Sequence, residues 1–193
     1  MKDTSRITAI TLMLLLLTAF NSQLLAQYKV DSKNSELTVL GTSSLHDWEI
    51  VAETLEGNAN FDLTGGLKAV NNLSFDVVVN SMKSGKSGMD KNTYDALNEK
   101  KYKNVSYKLT KANKITPSGG KYKVDATGNL SIAGKSKSVN MVVTVTPSGS
   151  TVSIAGSYKM KMTDFGIDPP TAVFGTIKTG DEIEIKFNVN YIK

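Results

Sequence analysis

"DEIEIKFNVNYIK", residues 181–193, alternates without a break. Ile183, Ile185, Phe187, Val189 and Tyr191 fall on one face, and Glu182, Glu184, Lys186, Asn188 and Asn190 on the other. Successive side chains of a strand point to opposite faces, so this pattern is a half-buried antiparallel strand. The same period recurs upstream. "SVNMVVTVTP" (138–147) aligns Val139, Met141, Val143 and Val145, and "TVSIAGSYKMKM" (151–162) aligns Val152, Ile154, Tyr158, Met160 and Met162. "LSFDVVVNSM" (73–82) puts Phe75, Val77 and Val79 on one side. "YKVDATGNLSIAG" (122–134), "VSYKLTK" (105–111), "SELTVLGTS" (35–43) and "DWEIVAETLEGNANFDL" (47–63) read as further strands.

Between the runs lie "TPSGGK" (116–121), "AGKSKS" (133–138) and "TPSGST" (146–151), clusters of Pro, Gly and Ser suited to hairpin turns. Strands at this spacing predict an all-β sandwich or barrel. One segment departs from the pattern. "MDKNTYDALNEKKYKN" (89–104) carries Tyr94 and Leu97 three apart, with Asp90 or Asn92 to cap the start and Lys100 and Lys101 at the end. It predicts a short helix over 91–100, preceded by a flexible Gly/Ser/Lys loop in "SMKSGKSGM" (81–89).

Residues 1–26 are set apart. Lys2 and Arg6 precede the apolar run "AITLMLLLLTAF", and Ala26 offers a small residue at a cut. The run is shorter than the roughly 20 residues needed to span a bilayer. The expectation is a secretory signal peptide cleaved near Ala26, an uncleaved anchor being the alternative, and one domain over residues 27–193 in the periplasm or outside the cell. Loss of the leader lowers the net charge from +5 by one. The remaining lysines are scattered rather than striped, which argues against nucleic acid as a partner. The chain has no cysteine and a single histidine, so thiol chemistry and multi-histidine zinc sites are excluded.

That histidine, His46, stands in "TSSLHDWE" (42–49) beside Asp47 and the only tryptophan, Trp48. On a strand, His46 and Asp47 would point to opposite faces and could not act as a pair. His46 is left as a structural partner, a ligand contact at a barrel mouth, or a catalytic or metal residue. "DFG" (164–166) lacks every other part of the kinase set and reads as ending a strand and starting a turn, before the loop "GIDPPTAVFG" (166–175). Lys83 and Lys86, in a Gly-rich setting, are suited either to a phosphate or to solvent.

Taken in order, these pieces resemble the YceI-like, polyisoprenoid-binding family of bacterial periplasmic proteins. The resemblance runs from "YKVDSKNSEL" (28–37) through "GNANFDL" (57–63) and the helix segment, where Asn104 stands in place of the usual Pro. It continues through "ATGNLSIAGKSKSVNMVV" (126–143), its most specific element, to "KMTDFGI" (161–167) as a late strand. It implies an extended eight-stranded antiparallel, lipocalin-like barrel with an apolar pore that holds an isoprenoid or similar long-chain lipid. On that implication the candidate ligand contacts are Phe75, Val77, Val79, Met141, Val143, Met160, Met162, Ile185 and Phe187 on inner faces. His46, Trp48, Phe165 and Phe174 are added near the ends, Phe174 as a cover for the pore. No catalytic residue, metal or cofactor is implied, and a homodimer is compatible. An envelope barrel with a side-chain-filled core, acting through its surface, stands as the alternative, because eight-stranded barrels can be filled or can hold one ligand. An enzyme with His46 as base ranks third.

Overall fold

The computed structural model describes residues 26–172 and 174–193; apart from Ala26, the expected leader lies outside them. The strands are β1 (Gln27–Val30), β2 (Glu36–Ser43), β3 (Trp48–Ala52), β4 (Leu55–Asp62), β5 (Ala69–Val78) and β6 (Met82–Lys83). The helix α1 (Ser87–Ala96) follows, then β7 (Asn104–Ser118), β8 (Lys121–Ile132), β9 (Lys135–Ser148), β10 (Thr151–Lys161), β11 (Thr171–Ala172) and β12 (Ile177–Ile192). Every pairing is antiparallel. The order β1-β4-β5-β7-β8-β9-β10-β12 closes through β12 onto β1 and makes an eight-stranded barrel with one helix.

The strand with the cleanest alternation is the one the barrel is built on. One edge of β12 pairs with β10 from Glu182 to Ile192. Its other edge is shared: β2 takes Thr179–Asn188, and β1 takes Tyr191 and Ile192. Asp31 and the 3-10 turn Ser32–Asn34 step the chain from one partner position to the next. Asn190 is held across the step, its N–H donating to Ser35 Oγ (2.9 Å) and its carbonyl accepting from Asp31 N (2.8 Å). The hairpin β2–β3 then extends the wall, and β3 pairs with β6 at the far side.

The hairpin turns are tighter than their sequence clusters suggest. The strands run up to Gly119-Gly120, Ala133-Gly134 and Gly149-Ser150, which leaves two-residue loops. Both residues of the first two loops have positive φ, as does Gly149 of the third. Such loops match the right-handed twist of the flanking strands. Pro117 and Pro147 therefore lie within strand ends, opposite Tyr122 and Val152, rather than in the turns.

Three other expectations are corrected. The helix spans Ser87–Ala96, four residues ahead of its predicted position. Its start is fixed not by an Asp90 or Asn92 cap but by Asp90 turned back to the loop, where its Oδ1 accepts from Ser84 N (2.8 Å) and Ser84 Oγ (2.6 Å). The segment 81–89 is accordingly not one loop: Met82 and Lys83 pair with β3, and Ser87–Met89 are helical. "DFG" does not lie on a strand. Met162–Phe165 form a 3-10 turn, ended by Gly166 at a φ of 70°. That turn is held from outside, with Asp181 accepting from Thr163 N (2.9 Å) and Oγ1 (2.7 Å), and Lys137 pairing with Asp164 (3.0 Å).

One end of the barrel is solid. Tyr28, Phe61 and Tyr191 stack edge to face at centroid distances of 5.1 and 5.8 Å. Ala59, Val145 and Val152 around them are fully buried. At the other end α1 lies between two apolar clusters, with Met89, Tyr94 and Leu97 against Leu37, Ile50 and Met82, and Ala96 and Leu97 against Leu130, Ile132 and Met160.

Candidate functional site: an apolar cavity in the barrel

Between the solid end and α1 the barrel encloses a cavity of about 930 Å³. Its wall is made of the inward residues of each strand, as the period-two pattern requires. Leu37, Val39 and Ile50 line the β2–β3 side, and Phe75, Val77, Val105 and Leu109 the β5–β7 side. Val124, Ala126, Met141, Val143, Ile154 and Met160 line the opposite side, and Ile183, Ile185, Phe187, Val189 and Tyr191 run its length on β12. No Asp or Glu lines it; the charged residues on its border are Lys86 and Lys91. Such a cavity, apolar with few polar groups at one end, has the size and character of a small-molecule site.

The thirteen predicted contacts divide clearly. Phe75, Val77, Met141, Val143, Met160, Met162, Ile185 and Phe187 line the cavity, and His46 and Trp48 border it. The other three do not. Val79 is fully buried, but in the 3-10 turn Val79–Ser81 beyond the end of β5, where the alternation has stopped. Phe165 is buried beneath Lys137, whose Nζ lies 5.7 Å from the ring centroid, and packs outside the cavity wall. Phe174 is fully exposed at the tip of the loop and covers nothing.

His46 and Asp47 occupy a turn, not a strand. Ser43 organises it: its Oγ accepts from Leu45 N and His46 N (both 3.2 Å) and donates to His46 O (2.8 Å). His46 Nδ1 donates to the main-chain carbonyl of Asp47 at 2.6 Å, so the two side chains make no pair. Both are exposed. No cluster of metal-ligating side chains occurs among the described residues. Trp48 donates its indole N–H to Thr42 O at 2.9 Å, and its ring covers Gly41, where a Cβ would overlap it. The only two residues of their kind thus sit together at the cavity mouth, one as wall and one as rim.

Two tyrosines face the interior with different outcomes. Tyr191 donates to Ser74 O at 3.2 Å, and burial pushes its phenol well above the ordinary range. Tyr107 lies across Gly128 with a buried hydroxyl that has no partner among the described residues, and burial pushes it up to about 12. Neither can serve as a base near neutral pH.

Several wall residues were not singled out as contacts beforehand. Ile154, Ile183, Val189 and Tyr191 already stood on recognised inner faces. The helical contribution follows helix period: Met89, Asn92, Thr93, Ala96 and Leu97 all border the cavity at spacings of three and four, and only Met89 lies ahead of the predicted start at 91. Tyr94, part of the predicted stripe, turns away; its hydroxyl accepts from Lys83 Nζ (2.7 Å) and lies 2.9 Å from Met82 O.

Residues 28–191 match the family model of the YceI-like domain. No match is found among the curated proteins. Among solved structures, Burkholderia cenocepacia BcnA superposes with a TM-score of 0.66 at 23% identity, covering 83% of this chain and 98% of that one. A polyisoprenoid binding domain from Saccharophagus degradans implicated in plant cell wall breakdown gives 0.67 at 16% identity, covering 86% and 97%. A Campylobacter jejuni YceI protein gives 0.60 at 20% identity, covering 75% and 84%. At these identities the likeness is one of fold.

Proposed function

The chain belongs to the YceI-like domain family, and from that premise we propose that it is a non-catalytic carrier of an isoprenoid or similar long-chain amphiphilic lipid. It would act in the periplasm or outside the cell after loss of its leader. The observation that carries this reading is the cavity of about 930 Å³ walled by Val, Ile, Leu, Met and Phe. Burial of chain carbon is worth about 0.8 kcal/mol per CH₂. A cavity of about 150 Å³ holds benzene, about 25 Å³ per carbon, so the volume sets an upper limit of roughly thirty-five chain carbons. A lipid of that size would bind mainly through its tail, with its head among His46, Lys86 and Lys91 at the rim. The polyisoprenoid binding domain from Saccharophagus degradans, alike in fold, supports the lipid class.

A solid envelope barrel is the weaker reading, because the interior holds space for far more than a few waters. The test is a titration of delipidated protein with prenols of increasing length, followed through Trp48 at the mouth. Affinity should rise with each added isoprene unit until the cavity is full and then level off. Affinity independent of chain length would reject the carrier reading.

A further inference from the structure

We propose that the mouth of the barrel is a membrane-docking surface, which seats Phe174 and Leu45 in a lipid bilayer and sets Lys86, Lys91 and Lys178 against anionic headgroups. Two loops form the outer lip of the cavity. One is the Ser43–His46 turn, and the other is the β11–β12 connection, with Pro170, Thr171, Ala172, Ile177 and Thr179 on the cavity and Phe174 at its tip. They are tied together, Ser44 N donating to Lys178 O (2.9 Å) and Lys178 N to Ser44 Oγ (3.1 Å). Each carries a large apolar side chain outward. Phe174 is fully exposed, and Leu45 is 65% exposed although it borders the cavity. Phe174 also has a φ of 52°, a conformation that bulky residues rarely adopt. An aromatic ring held out at the tip of a braced loop is costly in water and suited to the headgroup boundary of a bilayer.

Charge selects the occupant. Lys86 and Lys91, at and near the start of α1, are exposed on the same mouth, as is Lys178 on the lip. Asp47 and Asp168 flank the two loops and Asp95 is exposed on α1, but none of them lines the cavity. Apolar tips framed by lysines fit an anionic lipid surface, whereas a second copy of this chain would set lysine against lysine. The mouth is continuous with the apolar cavity, so a docked barrel would open directly onto the layer from which a tail could enter. Docking gains its purpose from the carrier reading but is tested apart from it.

The test is co-sedimentation of the full mature chain with phosphatidylcholine vesicles with and without phosphatidylglycerol, beside prenol binding in solution. Wild type should bind the anionic vesicles and lose them at high salt, because the lysine contribution is screened. Phe174→Ser should weaken vesicle binding about tenfold or more, from the lost burial of a Phe side chain. It should leave prenol binding in solution unchanged, since Phe174 lies off the cavity wall. Phe174→Trp should restore vesicle binding. Failure of prenol binding alone would strike the carrier reading and leave docking standing. No binding of wild type to anionic vesicles at low salt, or equal binding by Phe174→Ser, would overturn the proposal. So would a Phe174-dependent dimer in sedimentation without vesicles, which would give the surface to a second copy.

Discussion

Ala126→Phe separates an open barrel from a filled one. Ala126 points into the cavity from the middle of β8, between Ala112 and Met141 on the neighbouring strands. The new ring would project into the space now free for ligand. A ring of this kind needs about 150 Å³, judged from the engineered cavity of that size that accepts benzene. The loss is then roughly a sixth of the 930 Å³. This volume holds about six chain carbons, which at about 0.8 kcal/mol each corresponds to ~5 kcal/mol of lost tail burial. Some of the tail can reroute, so a loss of ~2–4 kcal/mol is expected, or about thirty- to a thousandfold in Kd for a cavity-filling prenol. Stability should hold or rise, because the ring enters vacant apolar space. In a packed interior the same ring would overpack the core and lower stability by about 1–3 kcal/mol. Prenol titration and thermal unfolding of Ala126→Phe, with outward-facing Lys123→Phe as control, read both effects. A destabilised Ala126→Phe with undiminished prenol binding would refute the placement of the ligand.

Gly41→Ala should cost about 1–3 kcal/mol and shift the emission of the only tryptophan, since the added methyl must displace the Trp48 ring; an unchanged spectrum and melting temperature would count against the packing described. Tyr107→Phe removes a buried hydroxyl that has no partner among the described residues. It should be neutral or stabilising by about 1 kcal/mol in chemical denaturation. Hydrogen bonds from Ser84 to Asp90, from Lys137 to Asp164 and from Thr163 to Asp181 hold these three carboxyls below their ordinary values. Groups with depressed folded values stabilise fully above the unfolded value near 3.9 and lose that contribution as pH falls through the folded values. Melting temperature should therefore fall on acidification below about pH 4, and less steeply in the triple Asp→Asn variant.

Much of this architecture can be read along the chain because a barrel wall has one rule, alternation, and β12 obeys it from Ile183 to Tyr191. That is why Ile185, Phe187, Met141 and Val143 could be placed on inner faces from alternation, while the cavity itself came only from the family resemblance. The failures cluster where the rule stops. Val79 continues the alternation of "FDVVV" in letters, but the chain has already turned into a 3-10 bend. Phe165, read at a strand end, and Phe174, read in a loop, were judged by apolarity where no period tells burial under Lys137 from full exposure. The helix was misplaced because Asp90 looks like a cap, whereas it serves Ser84 in the preceding loop, a contact across six residues that no capping pattern encodes. The His46–Asp47–Trp48 run was ambiguous for a related reason. Its answer depends on Ser43 closing a turn and on Gly41 leaving room for an indole, and both depend on tertiary placement.

The most direct measurement is native mass spectrometry of the protein purified from its native cells without detergent, followed by solvent extraction and mass analysis of the extract. A carrier should appear as a complex heavier than the chain by one long-chain lipid, which dissociates to a single lipid species or a narrow homologous series. In Ala126→Phe that species should be absent or shortened. A wild-type protein recovered only at the mass of the bare chain, and unable to take up any prenol offered to it, would contradict the carrier.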